Sequence, residues 1–285
     1  TLNRSKKVKI MINYNIKEMN LYKSTDRFLK SYKQLKNNLK RLPTINEFSV
    51  IDHLHYNGVD AVELAIKETK IKASSNVLDI GSGIGGPARY IASKTRANVY
   101  AVEIQKELSN IAKILTNEYK LDNKVRHIEK DILQFAIKNK TFDSIVSWLA
   151  LYHIPNRNKL FKQIFSLLKS KGYFYSEDFF LVDKLNKKER LNLSRTFHAN
   201  YLVKYDEYLE ELKSHKFIII SHKDMSANWS NFTKKRLIKY KKEFNKNVDL
   251  FGHTASKNVL NFYQLAHNLL TSKIVGGISY LCQKK

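Results

Sequence analysis

The 285-residue sequence predicts an α/β protein: a doubly wound, mostly parallel seven-stranded sheet, with a helical N-terminal arm and a helical insertion after strand five. Three observations predict it. Short apolar runs of strand length alternate with longer stretches whose apolar residues recur every three to four positions. The first run, Asn76-Val77-Leu78-Asp79-Ile80, breaks directly into Gly81-Ser82-Gly83-Ile84-Gly85-Gly86-Pro87. Acidic residues then follow the next two runs, Glu103 after the second and Asp131 just past the third.

Val77, Leu78 and Ile80 suit a buried parallel strand. Pro87 falls where the first turn of a helix tolerates a missing N–H. A glycine turn between strand and helix builds a pocket of backbone N–H groups. Without β-carbons, Gly81, Gly83 and Gly85 are expected to let a ligand lie against the main chain. The reading is a nucleotide or nucleoside site. Gly81, Gly83 and Gly86 also spell G-x-G-x-x-G, so a NAD-dependent oxidoreductase is a rival. Asp79 argues against it, because an acid two residues before the first glycine sits badly beside a pyrophosphate but well beside a cation. Ala97-Asn98-Val99-Tyr100-Ala101-Val102 reads as the second strand, and Glu103 at its end can accept both ribose hydroxyls in either class. Val125-Arg126-His127-Ile128 reads as the third, and Asp131 with Ile132 can hold an adenine amino group and cover one ring face.

The series Asp79, Gly81-x-Gly83-x-Gly85, Glu103, Asp131 and Phe142-Asp143-Ser144-Ile145-Val146-Ser147 resembles the class I S-adenosylmethionine-dependent methyltransferases. Gly-Gly-Pro-Ala-Arg-Tyr is similar to their small-molecule branch: sterol, tocopherol, phosphoethanolamine and sarcosine/dimethylglycine enzymes. The resemblance is strong over residues 76–178 and weaker on both sides. It implies a Rossmann-like sheet and S-adenosyl-L-methionine as cofactor. It places Asp79, Gly81, Ser82, Gly83, Gly85, Glu103, Ile104, Gln105, Asp131, Ile132 and Trp148 around that cofactor, with His55 from the preceding segment over its methionine end. Phosphoethanolamine methyltransferases carry a catalytic histidine matching His153 and an acid matching Leu149; this chain keeps the histidine and lacks the acid.

Residues 1–70 read as a basic helical arm or lid and residues 71–285 as the methyltransferase domain, with the insertion at about 184–215. In the arm, Phe28, Tyr32, Leu35, Leu39 and Leu42 share one helix face, flanked by Lys23, Lys30, Lys33, Lys36 and Lys40; Pro43 is expected to end it. His53 and His55 precede a helix over 59–69, and no carboxylate or cysteine cluster beside them has metal-ligand spacing, so no metal is expected. Leu108, Ile111, Ala112, Leu115 and Tyr119 mark a helix, 142–149 the fourth strand, and Leu160 to Leu168 the next helix, with Gly172 expected to end it. Residues 173–178 read as strand five, 217–220 as strand six, 229–251 and 255–270 as two helices, and 276–281 as strand seven, antiparallel to strand six.

Fifty-one Lys and Arg against 26 Asp and Glu give a formal charge of +25. With no base-stacking motif or dense arginine patch, the ordinary reading is lysine-rich decoration of exposed faces. Nucleic acid is therefore disfavoured as a partner, and an anionic substrate or a membrane surface met by the basic arm comes next. The sequence begins at Thr1, as a truncated or processed form would; it carries no signal-peptide pattern and a single cysteine, Cys282, which fits a cytoplasmic, reducing setting.

The predicted activity is methyl transfer to a small molecule, foremost to an amine nitrogen. C- or O-methylation of a sterol, lipid or phenol is the alternative, with a nucleic-acid methyltransferase behind it. Such a displacement needs alignment of the nucleophile, and a base only when that nucleophile carries a proton. His153, following strand four, is the candidate base. Glu177 and Asp178, expected to end strand five, can hold a cationic amine, and Tyr152, Tyr201 and Trp229 can form an aromatic wall, with Phe179 joining them.

Overall fold

A computed structural model of the chain describes residue 19 and residues 24–137 and 141–285; Lys23 of the arm lies outside them. The apolar runs assemble into one sheet because their side chains need cover on both faces. β1 (Asn76–Ile80), β2 (Asn98–Glu103), β3 (Val125–Glu129), β4 (Phe142–Trp148) and β5 (Leu168–Leu181) are parallel. β6 (Phe217–Asp224) forms an edge, and β7 (Val275–Lys284) lies antiparallel between it and β5. The order β3-β2-β1-β4-β5-β7-β6 is the doubly wound, seven-stranded arrangement expected from the sequence. It reverses direction between β1 and β4, so a crevice opens beyond the carboxyl ends of those two strands.

In chain order the helices are α1 (Asp26–Leu39), α2 (Ile45–Asp52), α3 (Gly58–Glu68), α4 (Gly86–Thr95), α5 (Lys106–Glu118), α6 (Arg157–Leu167), α7 (Lys187–Asn192), α8 (Tyr205–Ser214), α9 (Ser226–Lys242), α10 (Phe244–Phe251) and α11 (His253–Thr271). α3 and α4 cover one face of the sheet through Val62, Ala65, Ala88 and Ile91. α6 and α8 cover the other through Leu160, Phe161, Tyr208 and Leu212. Phe28 and Tyr32 of α1 and Phe48 of α2 pack with Leu108, Ile111 and Leu115 of α5, and the Tyr32 hydroxyl donates to Glu118 at 2.9 Å. The arm helix is thus seated on the sheet's outer helix layer. No helix among the described residues is long and apolar enough to cross a membrane.

Several boundaries differ from the sequence expectation. α1 stops at Leu39, where Lys40 turns left-handed and its N–H bonds the Asn37 carbonyl, so Leu42 lies outside the helix and is 41% exposed. The proline bars Leu42 from helical geometry, but the left-handed residue ends the helix first. Gly172 does not end α6: the helix closes at Leu167, Leu168 is already extended, and Lys171 makes the left-handed turn. β5 consequently begins at Leu168 and continues to Leu181, well beyond Asp178. The stretch 229–251 divides at Glu243 into α9 and α10. Cys282 is fully buried in β7, as its small apolar character predicts.

Candidate active site

The site has two adjoining parts, a polar crevice at the glycine turn and an aromatic chamber beside it. Leu54 and Leu149 line both.

The crevice is built on the turn after β1. Gly81 and Ser82 donate their backbone N–H groups to the Val102 carbonyl, which ties the turn to the end of β2. Gly83 donates to Glu103 Oε2 at 2.9 Å, and Gln105 donates its backbone N–H to Oε1 at 2.9 Å. Glu103 is thereby fixed beside the turn with lone pairs to spare, and Ile104 behind it packs against the core. Of the three glycines, only Gly83 opens onto the crevice. A β-carbon on Gly81 would stand 2.4 Å from that of Ala150, and one on Gly85 would stand 2.5 Å from His127 Cε1. At those two positions the missing β-carbon permits close packing of the turn.

Around this turn, buried polar atoms lack partners: Asp79 Oδ2, Ser82 Oγ, His55 Nε2 and Trp148 Nε1. His55 gives its Nδ1 to the Tyr56 carbonyl, as a turn histidine would, and stacks on Trp148 with centroids 5.4 Å apart. A carbonyl only accepts, so Nδ1 carries the proton and Nε2 keeps its lone pair. Burial, and then the nearby Glu103, push the Asp79 carboxyl up to about 8, and burial raises Glu103 to about 7. A buried acid pair without a cation is costly unless a ligand supplies one. Asp131 accepts from the Leu133 N–H at 2.9 Å, capping a short turn, and Ile132 is buried against the core.

The chamber was only partly visible in sequence. Tyr56, Tyr152, Phe179, Phe197, Phe262 and Tyr263 line it. Thr233, Arg236 and Ala266 of α9 and α11 complete the wall. Phe197, Arg236, Phe262 and Tyr263 went unnoticed because only tertiary folding brings the turn at Leu193–Phe197, α9 and α11 over residues near 55. Among the predicted wall residues, Tyr152 and Phe179 line the chamber. Trp229 is fully buried beneath, against Gly277, where a β-carbon would stand 2.3 Å from its ring. Tyr201 bonds through its backbone, its N–H to the Tyr152 carbonyl and its carbonyl to Arg157, and it does not line the chamber.

Neither acid of β5 meets an incoming amine there. Alternate strand residues face opposite sides. Asp178 is buried on the far face, where Tyr208 donates to it at 2.9 Å. Glu177 is on the near face, buried, accepting from the Tyr175 hydroxyl at 2.7 Å, and burial raises it to about 7. Neither carboxylate lines the chamber. His153 lies one residue behind the wall, its ring 4.0 Å from that of Tyr152. Its Nδ1 donates to the His198 carbonyl at 3.1 Å, and burial holds it down at about 4.

Sequence reasoning also missed the lock beneath the crevice. Arg89 of α4 reaches Asp52 Oδ2 at 2.9 Å and Thr116 Oγ1 at 3.2 Å, both buried. Thr116 meets His127 Nε2 at 2.7 Å. No group of three or more His, Cys, Asp or Glu suited to a metal occurs among the described residues.

Fold and glycine-turn crevice together define an S-adenosylmethionine-dependent methyltransferase. The chain belongs to the family described as a methyltransferase domain, whose model matches residues 53–214. It is 28% identical over 198 residues to phosphoethanolamine N-methyltransferase of Plasmodium falciparum, covering 68% of this chain and 73% of that one. It is 30% identical over 139 residues to the sterol 24-C-methyltransferase of Saccharomyces cerevisiae, covering 49% of this chain but 34% of the yeast one. In structure it resembles phosphoethanolamine N-methyltransferase 2 of Haemonchus contortus, solved with phosphomonomethylethanolamine and S-adenosylhomocysteine. There the TM-score is 0.75 at 20% identity, over 82% of this chain and 54% of that one. A putative sarcosine dimethylglycine methyltransferase of Galdieria sulphuraria aligns with a TM-score of 0.68 at 15% identity, over 79% and 84% of the chains.

Proposed function

We propose that the chain methylates an amine nitrogen of a small-molecule acceptor, with S-adenosylmethionine held in the crevice and the acceptor in the aromatic chamber. The observation that carries this is the set of unpartnered buried atoms at the glycine turn, Ser82, His55 and Trp148 in the crevice lining and Asp79 just before the turn, beside a wall of aromatic rings. These residues fit the cofactor. Asp79 would hold its amino group, Glu103 its ribose hydroxyls, and Asp131 its adenine amine, with Ile132 against the ring; Gly83 leaves room at the turn. When bound, the cofactor supplies a methyl group on a positively charged sulfur. The chain's own work is to align the nitrogen, exclude water through Leu54 and Leu149, and take up a proton where the amine has one to lose.

His153 is the proton acceptor we propose. Its Nδ1–H bond to His198 leaves Nε2 as the basic atom, and burial keeps it unprotonated at neutral pH. His153→Ala is expected to lower turnover by roughly 10²–10⁴-fold with donor affinity unchanged. Wild-type turnover should fall only as pH drops through about 4, where Nε2 becomes protonated. Unchanged turnover in the mutant would remove His153 from the mechanism. Calorimetry with S-adenosylmethionine, S-adenosylhomocysteine and NAD tests the reading as a whole: binding of the first two and not the third is expected, and the reverse would end it. A radiolabelled methyl screen over amines, sterols, phenols and RNA then identifies the acceptor. The sterol relatives and the apolar wall favour C-methylation of a lipid as the second reading. The buried Cys282 suits the cytoplasm as the place of reaction.

A further inference from the structure

The chamber carries one charged wall residue, Arg236, and no carboxylate. Its guanidinium carbon stands 4.6 Å over the Phe232 ring, 5.7 Å over Tyr56 and 5.6 Å over Tyr263. Nη2 donates to the His55 carbonyl at 2.9 Å. No Asp or Glu forms an ion pair with it among the described residues. A guanidinium has five N–H donors and keeps its charge at every working pH; Arg236 is partly buried, and its remaining donors are left to solvent or to a ligand. The neighbouring Thr233 hydroxyl gives its hydrogen to the Trp229 carbonyl at 2.9 Å and lies 3.2 Å from His267 Nδ1, and it is uncharged, so it does not offset the guanidinium's charge. Aromatic faces attract the cation but cannot accept its hydrogen bonds in the way a carboxylate or phosphate does.

This arrangement is odd for an enzyme that admits only a bare ammonium ion. Such a ligand would meet aromatic faces but also a fixed positive charge, with no wall carboxylate to offset it. The conflict disappears when the acceptor brings its own negative group. The chamber's position is also right, because Arg236 bonds the backbone of His55, whose ring borders the crevice, and Leu54 and Leu149 line both spaces.

We infer that Arg236 is the residue that sets acceptor specificity, selecting small molecules that carry a carboxylate or phosphate group in addition to the nucleophile. The inference rests on the methyltransferase reading for the nature of the reaction, but anion selection is measurable without turnover. Three ring compounds serve as probes: benzoate, phenyl phosphate and the neutral benzyl alcohol. Each is titrated calorimetrically into the full chain, with and without S-adenosylhomocysteine, for wild type, Arg236→Gln and Arg236→Lys. At least one anion is expected to bind roughly tenfold or more tightly than benzyl alcohol to the wild type. Arg236→Gln should erase that preference without weakening benzyl alcohol, while Arg236→Lys retains part of it. The better of the two anions identifies carboxylate or phosphate. High salt should narrow the preference in the wild type, and Arg236→Lys, which keeps the charge but not the planar fork, decides whether the preference belongs to this residue even if Arg236→Gln fails to fold: a preference unchanged from wild type would overturn the inference. Equal binding of all three probes, no binding of any, or an anion preference that survives Arg236→Gln would each overturn the inference. A protein that prefers anions but fails to bind S-adenosylhomocysteine would overturn the methyltransferase reading instead.

Discussion

Asp79 and Asp178 are both buried carboxylates near the carboxyl ends of sheet strands, yet the protein treats them oppositely. Asp178 sits on the far face, with the Tyr208 hydroxyl on its Oδ2 and the Arg157 guanidinium close enough to lower its pKa. Burial nevertheless leaves it raised to about 7. Arg157 is itself held by Glu211 at 2.7 Å and stacks over Tyr208, its carbon 4.3 Å from the ring centroid. Asp79 has no such cation. Its charged neighbour is another acid, Glu103, and Oδ2 has no partner. The far-face acid has a hydroxyl donor and a nearby cation, though its Oδ1 also lacks a partner; the near-face acid has only a second acid for a charged neighbour. A buried charge therefore identifies a binding site only once its partners have been counted.

The largest effect should come from breaking the far-face cluster. Arg157→Met removes the cation from Asp178 and leaves Glu211 without its partner. Arg157 is buried but Glu211 is partly exposed, so the loss should fall short of that for a fully buried pair, at about 2–3 kcal/mol. Denaturant melts should show that loss, while affinity for S-adenosylhomocysteine per folded molecule stays within about twofold. A mutant as stable as wild type would mean that the two acids differ less than their surroundings suggest.

The second test is the converse. Asp79→Asn should weaken S-adenosylmethionine binding by roughly 10–100-fold, since a charge-assisted bond is lost. The same change should stabilise the ligand-free protein. The sign follows from linkage: the folded-state pKa is raised from 3.8 to about 8, so between those values the unfolded chain has released the proton and the native state still holds it. Native stability therefore drains as pH rises through that window, and asparagine, which does not titrate, escapes the loss. The melting-temperature gain of Asp79→Asn should grow from pH 5 to pH 8. Asp79→Asn less stable than wild type at pH 8 would show that the carboxylate has a protein partner after all.

The contrast also separates what the sequence disclosed from what it hid. The strands, their order of appearance and the acids at their ends were readable because each rests on neighbours in the chain: a period, a glycine turn, a run of apolar residues. Asp178 was misjudged because β5 runs to Leu181, which put the residue within the strand on its far face, and no local signal marks where a strand continues. Arg236 and Arg89 were hidden for another reason. Arg236 bonds a residue 181 positions away and Arg89 one 37 positions away, and a charged helical residue looks like a solvated one until its partner is known. The turn glycines fell between: their positive φ was predictable, but not that Gly81 and Gly85 spend it on packing.

That last point yields the smallest expected effect. Gly83 and Gly85 have φ of +53° and +79°, so alanine at either meets backbone strain of about 1–2 kcal/mol. Their surroundings differ. A β-carbon on Gly85 would press on His127 at 2.5 Å and Arg89 Nη1 at 2.9 Å, disturbing the lock from α4 to Asp52 and Thr116. One on Gly83 would meet Leu54 Cδ1 at 3.3 Å, the flexible end of a side chain that borders the crevice. Gly85→Ala should therefore lose the more stability of the two, by about 1 kcal/mol beyond the shared strain. Gly83→Ala should lose the more donor affinity, because its methyl group narrows the crevice. Melting curves and S-adenosylhomocysteine titrations on the two variants decide it. Equal losses in both measurements would mean that the turn acts as one rigid unit, with no division between a glycine that packs and a glycine that makes room.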